Sequence, residues 1–419
     1  MDLIQSFDAL PRNLQECFLD TGSSFRKDQK IIASTVIDVW FGLYGIENII
    51  CMHYLQDLAS HKLLELLPLG KNEYEDGFFN EFLVKQDNIF REFAINQCEK
   101  DSFSIFERKR LNLDIQENNF PNWCLNPKQP ITINASLLSI STDESFTSNW
   151  IEMDCPNVEA LVLNLASSNY ALPNFITTMK KLKVVMIINH GPDPVKLTNL
   201  SCLSSLPNLR RIRIEKASIS LLDIPKLQLN SLEKLSLWLC HFVEVLNDLE
   251  VDNVSESFQS LQEIEIDYCY NLFELPYWIF QVVSLKKLSI TNCNKLCSLS
   301  EVIGNLKNLE MLRLSSCNSL FELPETVQRL SNLRVLDVSG CFQLKKLPLE
   351  IGKLKKLKKI SMRDCYRCEL PDSMKTLENL EVKCDEGTVF LWKRFKPKMK
   401  NLRITEEETE HNLNLLQLF

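Results

Sequence analysis

Between Ser284 and Cys365 the chain repeats itself every 24 residues. SLKKLSITNC begins at Ser284, NLEMLRLSSC at Asn308, NLRVLDVSGC at Asn332 and KLKKISMRDC at Lys356. Cys293, Cys317, Cys341 and Cys365 keep the interval, as do Leu285, Leu309, Leu333 and Leu357. A fixed period of this size marks a stacked-repeat protein, because one unit cannot cover its own apolar face and its neighbours must do so. The unit reads L-x-x-L-x-L-x-x-C-x-x-L-x-x-L-P. Its L-x-L portion alternates as a strand does, so Leu333, Leu336 and Val338 should point inward and Arg334, Asp337 and Ser339 outward. Strands about 4.8 Å apart, backed by helical return segments about 10 Å wide, predict a curved array with an exposed concave sheet.

The first apolar position of the unit can be traced through Val158, Leu182, Leu209, Leu232, Leu261, Leu285, Leu309, Leu333, Leu357 and Leu380. The gaps are 24, 27, 23, 29, 24, 24, 24, 24 and 23 residues. The 27-residue gap holds Gly191, Pro192 and Pro194, and the 29-residue gap an acidic insertion from Asn247 to Asp252. Insertions in a solenoid emerge as loops on one face, where they serve binding or simply drift.

Residues 1–105 do not repeat and carry helical periodicity. Leu14, Cys17 and Phe18 fall at i, i+3, i+4; Ile32, Val36, Val39 and Trp40 resume it after a polar break at Gly22–Asp28. Ile50–Leu67 and Phe78–Cys98 read as further helices. Residues 106–150 form a junction and capping repeat, with a strand at Arg110–Ile115, another within Ile131–Ile140, and loops at Pro121, Pro127 and Pro130. Repeats occupy 151–385. A cap at 386–419 combines a helix over Thr388–Met399, a last strand at Asn401–Thr405, the exposed acids Glu406–Glu410, and Leu413, Leu416 and Phe419 folded back on the core.

The net charge of −8 argues against a nucleic-acid binder. No signal peptide and no transmembrane run stands in the sequence. Fifteen cysteines, an odd number with six at the repeat position, fit a reduced cytoplasmic or nuclear compartment better than a disulfide framework. G-x-S-x-G and H-E-x-x-H are absent, and the five histidines do not cluster, so no enzyme is indicated. Cys365-Tyr366-Arg367-Cys368 lacks the second pair a zinc site needs; Cys365 reads as a small buried hydrophobe.

The repeat unit resembles the leucine-rich repeat, making the expected fold an α/β leucine-rich-repeat solenoid (horseshoe) preceded by a small, mostly helical winged-helix-like domain. LPRNLQECFLDTGSSFRKDQKI resembles the winged-helix segment of plant nucleotide-binding leucine-rich-repeat resistance proteins, and CMHYLQDLASH their Met-His-Asp motif. FPNWC, SLLSISTD, PNVEALVLNL, SSLPNLRRI and ELPYWI are similar to the helper branch, whose members carry a coiled-coil module active at membranes during cell death. Neither that module nor the family's G-x-x-x-x-G-K-[ST] phosphate loop is found here, as in an N-terminally truncated member. Met52 and His53 match the motif but Tyr54 replaces its acid. The resemblance would make His53 a sensor of the nucleotide β-phosphate; the alternative is a half-buried helix residue. With no phosphate loop, no ADP or ATP cofactor is expected.

The resemblance further implies protein partners: lipase-like signalling heterodimers, related full-length helper receptors, or both. A chain that keeps partner-binding repeats without the nucleotide switch would damp helper-receptor cell death. The alternatives are a positive defence component acting in trans with an intact receptor, and an ADP/ATP-binding switch. Candidate partner contacts lie on outward strand positions: Trp238, Glu265, Asp267 and Tyr268 in the middle units, Arg313, Asp337 and Arg363 later. One row runs Arg213, Ser236, Glu265, Ser289, Arg313, Asp337, Ser361, and the next Glu215, Trp238, Asp267, Thr291, Ser315, Ser339, Arg363. This mixture suits a protein rather than a polyanion. The Lys353–Lys359 run reads as a phosphate-attracting patch or as the solvated rim around core leucines. Tyr277, Trp278, Ile279 and Phe280 are a denser aromatic set than a return segment needs, with one or two expected at the surface.

Overall fold

Near the N-terminus the helical periodicity becomes five helices: α1 (Leu3–Asp8), α2 (Arg12–Ser24), α3 (Ala33–Tyr44), α4 (Asn48–Ser60) and α5 (Asn88–Lys100). Three short strands join them, β1 (Lys30–Ile32), β2 (Glu65–Pro68) and β3 (Phe82–Lys85), paired antiparallel in the order β1-β3-β2. Ile31 faces Val84 and Leu67 faces Leu83. Helix, strand, two helices and a two-stranded wing is the winged-helix order, as the resemblance implied. Two expected helices are shorter than their apolar patterns. The Ile50–Leu67 pattern breaks into α4 and β2, and the later part of Phe78–Cys98 into β3 and α5, because a buried strand and a buried helix share the same apolar text. The structure, a computed structural model, describes residues 3–69, 79, 82–100, 104–125, 131–221, 223–243 and 254–407. The acidic insertion, Pro127, Pro130 and the tail apolars Leu413, Leu416 and Phe419 lie outside these.

The described chain falls into a first unit within residues 1–213 and a second within 214–409. In the first, strands Arg110–Ile115, Leu137–Thr142, Ala160–Leu165 and Val184–Asn189 lie parallel in chain order. The helices share one core with these strands. Phe18, Trp40, Met52 and Leu55 are fully buried together with Leu137, Ala160, Val162, Val184 and Met186. Helix α3 is apolar nearly all round because helices cover one side and the sheet the other. Gly42 permits the approach: a Cβ there would stand 2.6 Å from Val184 Cγ2.

Three arginines of the strands are paired with the helices. Arg110 donates from Nε to Asp20 Oδ1 at 2.6 Å and also meets Glu16 and Tyr44. Arg211 pairs with Asp38 and lies 3.4 Å over the Phe41 ring. Arg213 donates to Ser34 Oγ at 3.0 Å. Arg213 is therefore buried, not on an open sheet face as the strand pattern alone suggested.

In the second unit the parallel strands run Lys234–Trp238, Glu263–Asp267, Lys287–Thr291, Met311–Arg313, Val335–Asp337, Lys359–Ser361, Glu381–Cys384 and Arg403–Glu406. Register matches the sequence ladder: Ser236, Glu265, Ser289, Arg313, Asp337 and Ser361 are successive partners. Leu285, Leu309, Leu333 and Leu357 are buried as the period demands. The return segments differ from expectation. Most are short 3-10 turns such as Tyr277–Gln281, Glu301–Asn305 and Glu325–Arg329 rather than α-helices. Pro276 and Pro324 fix the entry, and a 24-residue unit leaves too few residues for an α-helix to close. The cap forms a helix at Glu386–Lys393, whose capping box joins Asp385 to Thr388, and the strand Arg403–Glu406.

Candidate interaction surface

From Arg211–Glu215 to Lys359–Ser361 the strands are followed by a residue with positive φ, Lys216, Leu239, Tyr268, Asn292, Ser316, Gly340 and Asp364, at 52–74°, whereas Glu381–Cys384 is followed by Asp385 at −102°. The backbone N–H of the positive-φ residue donates to the next unit, as from Tyr268 to Thr291 O at 3.1 Å and from Gly340 to Arg363 O at 2.8 Å. The turn swings the following cysteine inward. Cys341 and Cys365 then donate from Sγ to Leu314 O and Val338 O, both at 3.0 Å. Burial pushes these two thiols well above the usual range, so they are neutral packing groups. Asn, Gly, Asp and Ser suit the left-handed turn; Leu239 and Tyr268 do not, and bulky residues there mark strain that the surrounding bonds must hold.

Those two strained residues flank the best-formed cluster on the polar strand face. The Trp238 ring stands 6.1 Å from Tyr268 at 75°, and Tyr268 stands 6.3 Å from Tyr270 at 69°. Beside them Glu265 accepts from Ser236 Oγ at 2.8 Å and pairs with Lys234 at 3.1 Å; Asp267 accepts from Asn292 Nδ2 at 2.8 Å. Burial and the Asp267 charge push the Tyr270 phenol up to about 12, so it stays a hydrogen-bond donor at neutral pH. Trp238, Glu265, Asp267 and Tyr268 are thus brought together.

Arg313 and Asp337 form a separate pair, Nε to Oδ2 at 3.2 Å, and Asp337 also accepts from Ser339 N. Arg363 stands apart again, donating to Glu407 Oε2 at 2.9 Å, with Lys383 3.6 Å from the same carboxylate. Trp238, Glu265, Asp267, Arg313 and Asp337 are each at most 8% exposed, because neighbouring strands flank every side chain. Tyr268 and Arg363 are half-buried.

His53 projects from the exposed side of α4, not half-buried; Met52 fills the core and Tyr54 is partly covered. In the lysine run Leu354 and Leu357 are buried while Lys353, Lys355 and Lys356 bond to Glu350, Thr376 O and Asn332. With Lys358 these form the solvated rim, while Lys359 is buried in its strand. Of the 277–280 set only Tyr277 is exposed; Trp278 is buried and donates to Leu221 O at 2.8 Å. Among the described residues no group of three or more His, Cys, Asp or Glu is placed to hold a metal. Among them, too, no single helix is long and apolar enough to cross a membrane. Sequence reasoning passed over the positive-φ row; its signal was the Asn, Ser, Gly or Asp before Cys293, Cys317, Cys341 and Cys365.

The leucine-rich repeat region family matches residues 280–404. A probable disease resistance protein of Arabidopsis thaliana is 77% identical over 416 residues, 99% of this chain and 99% of that one. A second from the same plant is 71% identical over 99% of this chain but 50% of its own length. The disease resistance protein ADR1 of Arabidopsis thaliana is 33% identical over 65% of this chain and 34% of its own. The chain thus spans nearly all of one relative and about half of another. By likeness over its whole length, it belongs to the plant disease resistance proteins and carries their leucine-rich repeats.

Proposed function

We propose that the chain is a non-enzymatic protein-interaction module of plant innate immunity, binding immune signalling partners through its repeats and damping cell death driven by helper receptors. The observation that carries this reading is the Trp238–Tyr268–Tyr270 cluster, set on strained backbone beside Glu265 and Asp267. Trp and Tyr are favoured interface anchors, and strain persists where function retains it. Damping is supported by likeness: the chain aligns with half the length of a longer relative, so it would compete with that relative for a shared partner. By resemblance the partners are lipase-like signalling heterodimers or related full-length helper receptors, met in the cytoplasm or nucleus, with no ADP or ATP bound.

The test co-expresses the chain with a longer relative in leaf tissue and scores cell death, alongside affinity purification of the native chain and Trp238→Ala. Damped death, with partner recovery reduced in the variant, is expected. Raised death would favour the positive component in trans. Unchanged death together with no heterodimer binding would sink the module, and saturable binding of labelled ADP would favour the switch.

A further inference from the structure

A second ladder runs beside the strands of the second unit, in the loops that follow each repeat cysteine. Backbone N–H groups of Cys297, Phe321, Lys345 and Glu369 donate to Phe273 O, Cys297 O, Phe321 O and Lys345 O, at 3.2, 3.4, 2.9 and 2.7 Å. These bonds hold every fourth residue after the cysteine in one column. Three residues earlier, immediately after the cysteines, a parallel row carries Tyr270, Phe342 and Tyr366. Large aromatics in both rows face solvent: Tyr270, Phe273, Phe321, Phe342 and Tyr366 are 40–45% exposed. Five of the ten large apolar side chains that the second unit exposes among its described residues therefore sit on this one flank. Scattered exposure is ordinary; a periodic stripe on a rigid backbone ladder marks an interaction surface.

Charge says what fits there. Lys295 Nζ lies 5.1 Å over the Phe273 ring and Lys345 Nζ 4.3 Å over Phe321. Among the described residues neither lysine forms an ion pair, so each cation has an aromatic face beneath it and an unmatched charge toward solvent. Arg367 adds another exposed cation beside Tyr366. A carboxylate arriving over such a lysine completes its charge while an adjacent apolar side chain packs on the ring. An anionic bilayer needs a one-signed patch, but here the cations alternate with Glu274, Glu322 and Glu369, a mixture that suits a partner segment placing single carboxylates over the lysines rather than a continuous anionic surface.

We infer that this flank is a docking surface for a protein partner whose contacting segment alternates apolar side chains with carboxylates. The inference rests on the reading of the repeats as a protein-binding module and adds a flank that meets the Trp238 cluster at Tyr270. Its test selects a random-peptide phage library on the full chain, then measures the selected peptides against Phe273→Ala/Phe321→Ala/Phe342→Ala, Lys345→Glu and Trp238→Ala. The replaced aromatics are already largely solvated, and hydrogen exchange confirms the fold of each variant. Expected are peptides pairing Leu, Ile or Phe with Asp or Glu, binding at least about tenfold weaker to the triple variant and to Lys345→Glu, and unchanged by Trp238→Ala. Peptides lost only with Trp238→Ala would overturn the flank while leaving the module reading intact. Failure to select any peptide, selection of basic peptides, or binding instead to phosphatidylserine-containing vesicles would also overturn it.

Discussion

The two units use the same strand in opposite ways. In the first, ALVLNL at 160–165 and VVMIIN at 184–189 are buried at every position, since helices lie on one side and the repeat core on the other. In the second, KLSLW, EIEID and KLSIT at 234, 263 and 287 are buried almost as completely, but their sequence alternates, and the polar residues opposite the core are covered by one another across the strands. A strand covered on both sides needs continuous apolar text; one with a polar face keeps the period of two. Charges follow suit. Where helices cover the sheet, Arg110 is buried against Asp20 and reaches the half-buried Glu16. In the second unit, Lys234 with Glu265 and Arg313 with Asp337 pair across strands instead.

Breaking the covered pair should cost most. Arg110→Ala strands Asp20 without its cation and should destabilise the first unit by about 3–5 kcal/mol, read as a lower urea midpoint with faster hydrogen exchange in residues 1–213. Replacing both partners, Arg110→Met with Asp20→Leu, should recover most of the loss. Arg313→Ala in the second unit should cost only about 1–2 kcal/mol; equal costs for the two arginines would erase the distinction drawn between the faces.

Strain sharpens it from the other side. Leu239 occupies a left-handed turn where the later repeats place Asn, Ser, Gly or Asp. Leu239→Asn should stabilise the second unit by about 1 kcal/mol, visible as a raised midpoint, and a lowered midpoint would show that the leucine packs more than it strains.

Acid should act more weakly. Burial opposes the Glu16 charge, but hydrogen bonds from Lys109 and Arg110 outweigh it and lower its pKa. Its stabilisation is therefore present above the ordinary glutamate range and lost as pH falls through the lowered value. Asp385 in the second unit behaves likewise: burial is outweighed by bonds from Thr388 and the Asp364 backbone. Glu16→Gln should flatten the acid limb of the first unit alone, measured by hydrogen exchange against pH. Least perturbing is thiol alkylation of the native chain, which should label Cys297 and leave the six buried cysteines of the first unit unmodified; early labelling of Cys155 would mean that the covered unit opens.

Much of this architecture was legible beforehand. The 24-residue interval placed each core leucine and each strand register, because a one-residue slip in a strand would turn every side chain to the wrong face. The candidate cluster was legible in part. Trp238, Glu265, Asp267 and Tyr268 could be placed on neighbouring strands, since register follows from spacing. Their pairings with Lys234, Ser236 and Asn292 could not, since those depend on rotamers and on the left-handed turn.

What the sequence by itself determined is the repeat: its period, its inward leucines and cysteines, and the polar text of the strand faces, because each of these is a local pattern repeated until no other packing buries it. What only the tertiary structure decided is what covers the polar text. Arg213 and Arg313 occupy equivalent strand positions, yet one is bonded to Ser34 beneath a helix and the other pairs with the aspartate of the next repeat. That difference arises from the contact of Arg213 with a residue 179 positions away, where packing rather than local pattern sets the outcome.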